Sequence, residues 1–182
     1  MTPTGVVLTG GLSRRMGTDK ALVEVDGEAM VVRVAAALAE GGCEPVVCQG
    51  GDADALARHG LRVTPDSEPG HGPLTAIADA LAWAAPADVL VSACDLPWLD
   101  AATVERLIRA ADGRPDADVL AATDESGPHL LALWRQAAGA RLGELLVEGV
   151  AAYRAALERL GAVAVDVPSS VVVNVNSPED LR

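Results

Sequence analysis

Two kinds of segment alternate along the chain: short apolar runs and longer amphipathic stretches. The short runs are rich in Val, Leu and Ala and are bounded by Gly, Pro, Asp or Ser, which is typical of strands buried in a sheet. They predict strands at residues 5–9, 45–49, 61–64, 88–93, 118–122, 130–134, 163–167 and 171–175, with a short extended piece at 21–25 before an Asp-Gly turn.

The amphipathic stretches repeat apolar residues every three or four positions, which is the spacing of one helical face. They predict helices at residues 28–40, 52–59, 136–148 and 151–160, one that carries Leu74, Ile77 and Leu81, and one that follows a capping Asp100. A last helical turn is predicted to begin at Ser177. Because strands alternate with helices, we predict the α/β class: a three-layer α/β/α fold around a mostly parallel central sheet.

The length of the chain favours one folding unit. It has 182 residues, which fits a domain of ordinary size, and no repeat, linker or low-complexity tract interrupts it. We therefore predict a single domain over residues 1–182. It is expected to consist of two halves, at about 1–110 and about 111–182.

Composition excludes several classes of protein. Half of the residues are hydrophobic and 22% are charged, which excludes a disordered chain. The apolar runs are too short to cross a bilayer, and the N-terminal residues lack the pattern of a signal peptide. Three cysteines without a Cys-x-x-Cys pair are typical of a reducing compartment. We expect a cytoplasmic protein that does not bind membranes.

The charged residues are distributed unevenly. The formal net charge is −12, which disfavours nucleic acid as a partner and means that an anionic ligand would need a local cation or a divalent metal. Thirteen of the fourteen basic residues are arginines, and the only lysine is Lys20. A flexible ammonium and a planar guanidinium are not interchangeable at a crowded phosphate. The retained lysine therefore suggests a functional position, with chance survival as the alternative.

Ligands of parallel sheets bind beyond the carboxyl ends of the strands. The first predicted strand leads into Leu8-Thr9-Gly10-Gly11-Leu12-Ser13-Arg14-Arg15-Met16-Gly17-Thr18-Asp19-Lys20. Its glycines let backbone N–H groups approach an anion, while Arg14, Arg15 and Lys20 add positive charge. The pattern matches neither a Walker A loop nor a GxGxxG fingerprint. We interpret it as a phosphate-binding loop in preference to a plain surface loop.

Other strand ends also carry polar residues. In Ala93-Cys94-Asp95-Leu96-Pro97, a carboxylate follows an apolar strand. Mg²⁺ often uses only one or two protein carboxylates, with phosphates and water as its other ligands, so Asp95 suits a metal site as well as a turn or cap. The loop that starts at Asp66 leads into a helix N-terminus, which favours anions. His129 precedes a strand, and the pattern fits either a cleft-facing or a solvent-exposed side chain.

Four blocks of sequence, LTGGLSRRMGTDKAL, PDSEPGHGPLTAI, ACDLPWL and VNVNSPEDL, resemble the MobA-type molybdenum cofactor guanylyltransferases within the larger MobA-like nucleotidyltransferase family. The blocks occur in the order found in that family. Thr9 stands where the family usually has Ala. The double glycine resembles the guanylyl branch, because the cytidylyl branch more often has Ala-Ala-Gly. The resemblance implies a Rossmann-like nucleotidyltransferase fold whose first half binds the nucleotide and whose second half binds the acceptor.

The resemblance also implies roles for individual residues. The nucleotide would contact Leu8, Thr9, Gly10, Gly11, Lys20, Gln49, Asp66 and Asp95, with Mg²⁺ on Asp95. The catalytic residues would be Lys20, Asp95 and Arg15. The acceptor would contact His129, Asn174 and Asn176, although the two asparagines also fit plain turn positions. The basic Gly-Glu-Arg-Arg/Lys stretch of the family is replaced by residues 148–154, where only Arg154 is basic, so the acceptor stays open.

The leading hypothesis is transfer of GMP from Mg-GTP to the phosphate of the molybdopterin cofactor, with release of pyrophosphate. Molybdoenzymes or cofactor chaperones would be further partners. One alternative is a nucleotidyltransferase that uses CTP or another phosphorylated acceptor. The other is a non-catalytic accessory protein that binds a nucleotide or cofactor, which the presence of both Lys20 and Asp95 disfavours.

Overall fold

The computed structural model describes residues 2–10, 20–176 and 180. The strands in this part of the chain are β1 (Thr4–Leu8), β2 (Glu24–Val25), β3 (Glu28–Ala29), β4 (Val46–Gln49), β5 (Val63–Thr64), β6 (Val89–Ala93), β7 (Val119–Asp124), β8 (Gly127–Trp134) and β9 (Val163–Asp166). The α-helices are α1 (Met30–Glu40), α2 (Ala53–Ala57), α3 (Pro73–Ala84), α4 (Ala101–Asp112), α5 (Ala138–Val147) and α6 (Tyr153–Leu160). Short 3₁₀ turns cover Lys20–Leu22 and Ser169–Val171.

The predicted mostly parallel sheet is confirmed. Seven strands lie in the order β5-β4-β1-β6-β8-β7-β9, and β2 pairs with β3 in a small separate hairpin. In the seven-stranded sheet, β8 runs antiparallel to both of its neighbours, β6 and β7, while the other pairs are parallel. The hairpin formed by β7 and β8 extends both strands beyond the predicted ranges, to Asp124 and from Gly127.

The two faces of the sheet are covered by different helices, which confirms the three predicted layers. Neighbouring strand residues point to opposite faces, as Val6 and Val7 of β1 do. Val7 packs in a core that contains apolar residues of α1 and α4. Val6 packs in a second core, formed with α3, α5 and α6. Within the described residues, no helix has the length and apolar character needed to cross a membrane.

Three elements predicted from the apolar pattern differ from the structure. The extended piece predicted at residues 21–25 begins in the 3₁₀ turn Lys20–Leu22, and only Glu24–Val25 form a strand there. The helix predicted from residue 28 starts at Met30, because Glu28 and Ala29 pair with β2 instead. The strand predicted at residues 171–175 is absent from the described structure, where this stretch follows a 3₁₀ turn in an irregular path. Val172 and Val175 are nevertheless buried. Their apolar character therefore reflects core packing and not a place in the sheet. Ser177, predicted to start the last helical turn, lies outside the described residues.

The predicted cap of α4 provides a test of this local structure. Asp100 Oδ1 accepts a hydrogen bond of 2.8 Å from the backbone N–H of Thr103, which satisfies one of the unpaired donors at the helix start. We expect Asp100→Ala to lower the free energy of unfolding by about 1 kcal/mol in urea titrations at pH 7. Asp112→Ala is the matched control at the other end of the helix, where a carboxylate opposes the helix dipole. Equal losses for both variants would contradict the capping role.

Candidate functional site

Four neighbouring parallel strands, β5, β4, β1 and β6, end at one edge of the sheet. Leu8 at the end of β1 pairs with Gln49 of β4 on one side and with Ala93 of β6 on the other. Gln49 in turn pairs with Thr64 of β5. This register brings the residues that follow the four strands to a common edge, as the sequence analysis expected for a ligand site.

The only lysine of the chain lies at this edge and is paired with the carboxylate that follows β6. Lys20 Nζ lies 2.6 Å from Asp95 Oδ2 and donates a second hydrogen bond of 2.7 Å to Asn176 Oδ1. The side chains of Lys20 and Asp95 are only 17% and 15% exposed. Partial burial strengthens the attraction relative to a surface pair, since solvent screens it less.

The segment after β9 crosses the end of β6 and completes this group. Asn174 Nδ2 donates to Asp95 Oδ1 at 2.8 Å, and the backbone N–H of Val175 donates to the Asp95 carbonyl at 3.0 Å. These bonds explain why residues 171–175 do not join the sheet. The structure thus brings together Lys20, Asp95, Asn174 and Asn176, all of which were predicted as site residues.

The start of the predicted phosphate loop is tied to β4. The backbone N–H groups of Thr9 and Gly10 both donate to the Gln49 carbonyl, at 3.0 and 3.2 Å. The Thr9 hydroxyl donates to the carbonyls of Gln49 and Gly50. These hydrogen bonds join Thr9 and Gly10 to the end of β4, so the backbone N–H groups of both residues are already paired within the protein. The predicted site residues Gly11 and Arg15 lie outside the described residues.

Asp66 reaches between two glycines at the same edge. A Cβ atom added at Gly10 would lie 2.1 Å from Asp66 Oδ2, and one added at Gly50 would lie 2.3 Å from it. Gly50 also has a positive φ of 75°, which disfavours any residue with a side chain. From the sequence, Gly10 is expected to let a backbone N–H group approach an anion. In the structure, the missing side chain makes room for a carboxylate.

The side chain of Gln49 holds the Asp66 carboxylate through a hydrogen bond. This side chain is completely buried, and Nε2 donates to the Pro65 carbonyl at 3.0 Å and to Asp66 Oδ1 at 3.1 Å. Gln49 Oε1 accepts a hydrogen bond of 2.9 Å from Trp83 Nε1. The sequence analysis missed Trp83, because a tryptophan on a mostly apolar helix gives no signal beyond ordinary packing.

His129 is placed differently from the other predicted acceptor residues. Its Nε2 lies 2.9 Å from Asp124 Oδ1, and the two side chains are 11% and 10% exposed. Hydrogen bonds from the Ser126 hydroxyl and then from His129 hold the pKa of the Asp124 carboxyl well below its ordinary range. In the described part of the chain, no hydrogen bond or ion pair joins His129 to Lys20 or Asp95.

The surroundings of Asp95 suit a metal ion that takes one ligand from the protein and its other ligands from phosphate and water. Among the described residues, no group of three or more His, Cys, Asp and Glu side chains could hold a metal ion. Each carboxylate oxygen of Asp95 accepts one hydrogen bond, from Lys20 or Asn174, and an ionised carboxylate has about four acceptor positions. One carboxylate with free lone pairs suits Mg²⁺ accompanied by phosphate oxygens and water.

Comparison with known proteins identifies the family to which the chain belongs. A family model described as the MobA-like NTP transferase domain matches residues 5–165. The chain belongs to this family. It is therefore a nucleotidyltransferase with the Rossmann-like fold of that class, and the resemblance seen in the sequence blocks is confirmed.

Relatives and solved structures agree with this membership. The chain is 37% identical over 190 residues to the molybdenum cofactor guanylyltransferase of Rhodobacter capsulatus, a match that covers 100% of this chain and 94% of that protein. It is 46% identical over 110 residues to a probable molybdenum cofactor guanylyltransferase of Pelotomaculum thermopropionicum, covering 60% of this chain and 53% of that protein. The molybdopterin-guanine dinucleotide biosynthesis protein A of Archaeoglobus fulgidus superposes with a TM-score of 0.80 at 25% identity, covering 98% of this chain and 94% of that one.

The environment of Asp66 predicts an effect on stability. Burial raises the pKa of this carboxyl above its ordinary value of 3.8, the hydrogen bond from Gln49 opposes the rise, and the Asp79 carboxylate adds to it. Because the folded chain binds the proton more tightly than the unfolded chain, ionised Asp66 destabilises the fold at neutral pH. We expect Asp66→Asn to unfold at higher urea concentration than the wild type at pH 7.

The raised pKa of Asp66 also determines how the stability difference between Asp66→Asn and the wild type depends on pH. The advantage of Asp66→Asn should shrink as the pH falls through the raised folded pKa of Asp66, and it should vanish below about pH 4, where both states of the wild type are protonated. Asp116→Asn, at an exposed position in the turn that follows α4, is the control for removing a carboxylate that is not buried. If Asp66→Asn proved less stable than the wild type at pH 7, that result would contradict the role of burial.

Proposed function

We propose that this nucleotidyltransferase transfers GMP from Mg-GTP to the phosphate of the molybdopterin cofactor and releases pyrophosphate. The observation that carries the proposal is the contact of 2.6 Å between Lys20 and Asp95 at the carboxyl edge of the sheet. A cation and a potential metal ligand lie side by side there, in the strands that frame a nucleotide site in this fold. The names of the relatives support the guanylyl group and the molybdenum cofactor.

The reaction needs no nucleophile from the protein. An oxygen of the acceptor phosphate attacks the α-phosphorus of GTP, and a new P–O bond forms between them. The bond from the α-phosphorus to the bridging oxygen breaks, and its electron pair leaves with pyrophosphate. Both reactants are anions, so the tasks of the protein are alignment and charge neutralisation.

Lys20 is held in a geometry that suits this task. An ammonium has three N–H donors, and Asp95 and Asn176 accept two of them. Within residues 2–10 and 20–176 no group accepts a hydrogen bond from the third donor, which we assign to a phosphate oxygen in the direction that the two other bonds fix. Asp95 would hold Mg²⁺, which when bound supplies further neutralisation of the phosphate charge. Asn174 restrains the Asp95 carboxylate through the hydrogen bond to Oδ1.

The strand order supports a proposed position for the nucleoside. Three strand spacings of about 4.8 Å separate β5 from β6, so Asp66 and Asp95 follow strands about 14 Å apart. With the phosphates at Lys20 and Asp95, the nucleoside extends toward β4 and β5, where Gln49 and Asp66 lie. The acceptor then approaches from the other side, toward β8 and the segment with Asn174 and Asn176.

One observation favours a second candidate acceptor. Of residues 148–154, only Arg154 is basic, and its Nη2 donates to the Ser126 carbonyl at 3.3 Å. Residues 148–154 therefore carry less positive charge than the basic Gly-Glu-Arg-Arg/Lys stretch of the MobA-type enzymes. A different phosphorylated acceptor is the alternative, with the same chemistry at the α-phosphorus.

Variants at Lys20 and Asp95 test the proposed centre. We expect Asp95→Ala and Lys20→Arg each to lower the rate of pyrophosphate release from GTP and molybdopterin by about 10²–10³-fold, because the first removes the proposed metal ligand and the second removes a preorganised ammonium donor at the phosphates. The arginine variant keeps the charge but loses the compact ammonium. Arg109→Lys, on the exposed face of α4, is the matched control for the exchange of the two basic residues. Near-normal turnover by either site variant would refute its assignment.

The identity of the nucleotide is tested separately. Isothermal titration with GTP, CTP, ATP and UTP, each with Mg²⁺, should give the tightest binding for GTP. Tighter binding of CTP would replace GTP in the proposal and leave the centre unchanged. No binding of any of the four would refute nucleotide transfer by this site.

A further inference from the structure

A chain of hydrogen bonds leads from helix α3 to the nucleoside end of the site. Trp83 Nε1 donates to Gln49 Oε1 at 2.9 Å, and Gln49 Nε2 donates to Asp66 Oδ1 at 3.1 Å. Gln49 is completely buried, so no solvent competes for its amide. Asp66 lies at the far end, wedged between Gly10 and Gly50.

The indole determines which way the Gln49 amide faces. An indole N–H is a donor and never an acceptor, so the atom opposite Trp83 must be the amide oxygen. The amide nitrogen is then directed to the opposite side, where the Pro65 carbonyl and the Asp66 carboxylate both require donors. A reversed amide would break the hydrogen bonds to the indole N–H and to the Pro65 carbonyl, and a polar group left unpaired away from solvent costs about 1–3 kcal/mol.

A fixed amide gives Asp66 a fixed direction. The carboxylate is confined by the two glycines on one side and by Gln49 on the other. If Gln49 turned, its oxygen would face Oδ1 of Asp66, and the two acceptors would repel each other. The backbone of the next residue is also restrained, because Asp79 of α3 accepts hydrogen bonds from the Ser67 N–H and hydroxyl.

We propose that Trp83 is a positioning residue for nucleotide recognition, which fixes the amide of Gln49 and through it aims the Asp66 carboxylate at donor groups of the bound nucleoside. This inference rests on the proposed function, which places the nucleoside near Asp66. A carboxylate accepts hydrogen bonds and repels acceptors, so it selects for donors. In GTP these are the ring N–H and exocyclic amine of guanine and the hydroxyls of the ribose. Trp83 itself touches neither the reacting atoms nor the metal ligand.

The test is steady-state kinetics of Trp83→Phe, which keeps an aromatic ring and deletes the N–H. We expect KM for GTP to rise about fivefold while kcat stays within twofold, because the change affects binding of the nucleoside and leaves the phosphate centre intact. Tyr153→Phe is the matched control. It also deletes a polar group from a ring, but the buried Tyr153 hydroxyl makes no hydrogen bond within the described residues. We expect its kinetic constants to be unchanged.

A double-mutant cycle with Asp66→Asn separates positioning from general packing. If Trp83 acts through Asp66, adding Trp83→Phe to Asp66→Asn should raise KM no further, since the group that it aims has been removed. A packing defect would raise KM by the same factor in both backgrounds, and that result would overturn the proposal. Unchanged KM in Trp83→Phe alone would overturn it as well. Thermal unfolding of each variant verifies that the compared proteins are folded.

Two nucleotide analogues identify which donors Asp66 accepts. ITP lacks the exocyclic amine, and 2′-deoxy-GTP lacks one ribose hydroxyl. The effect of Trp83→Phe should be smaller with the analogue that lacks the recognised donor, and an equal effect with GTP and both analogues would assign that donor to the guanine ring N–H or the 3′-hydroxyl. Turnover by the wild type separates a failure of the proposed function from a failure of the role of Trp83. A wild type without GTP turnover refutes the proposed function, whereas an active wild type with an unaffected Trp83→Phe refutes only the role of Trp83.

Discussion

The ion pair between Lys20 and Asp95 joins three distant parts of the chain. Lys20 follows the loop after β1, Asp95 follows β6, and Asn176 belongs to the segment after β9. None of these positions is close to another in sequence, so the group exists only when the sheet has formed in its observed order. The same bonds that shape the site also anchor the C-terminal segment, which has no strand partners of its own in the described structure. Folding and function therefore share these contacts.

Much of the fold follows from local pattern. The run in β6 is fully buried and bounded by polar residues, and nothing else fits such a run in an α/β chain. The same reasoning fails at residues 171–175, because a run rich in valine predicts a strand whether its residues pair in a sheet or pack against side chains. The prediction that Lys20 and Asp95 belong to one site followed from the strand ends and from the resemblance, whereas their direct contact did not. Trp83 did not, because its role depends on a contact with Gln49 across 34 positions that no local pattern encodes.

Asp66 illustrates how a site differs from a core. Burial raises the pKa of its carboxyl, so the ionised group is held in surroundings that disfavour it. Two glycines lack side chains where that carboxylate lies, and a buried glutamine donates to it. A sequence selected only for stability would place a neutral side chain there. This local conflict between charge and burial is typical of groups that are held ready for a ligand.

The reversed direction of β8 has a consequence for how such an enzyme can change. The turn between β7 and β8 projects from the same edge as the ends of β1 and β6, yet the ladder that secures β8 to β6 runs from Ser92–Leu131 to Val89–Trp134, away from that turn. Insertions or deletions at the tip would leave this ladder in register. The hairpin is thus a modular element, through which evolution can remodel one part of this edge while β1, β4 and β5 keep their architecture.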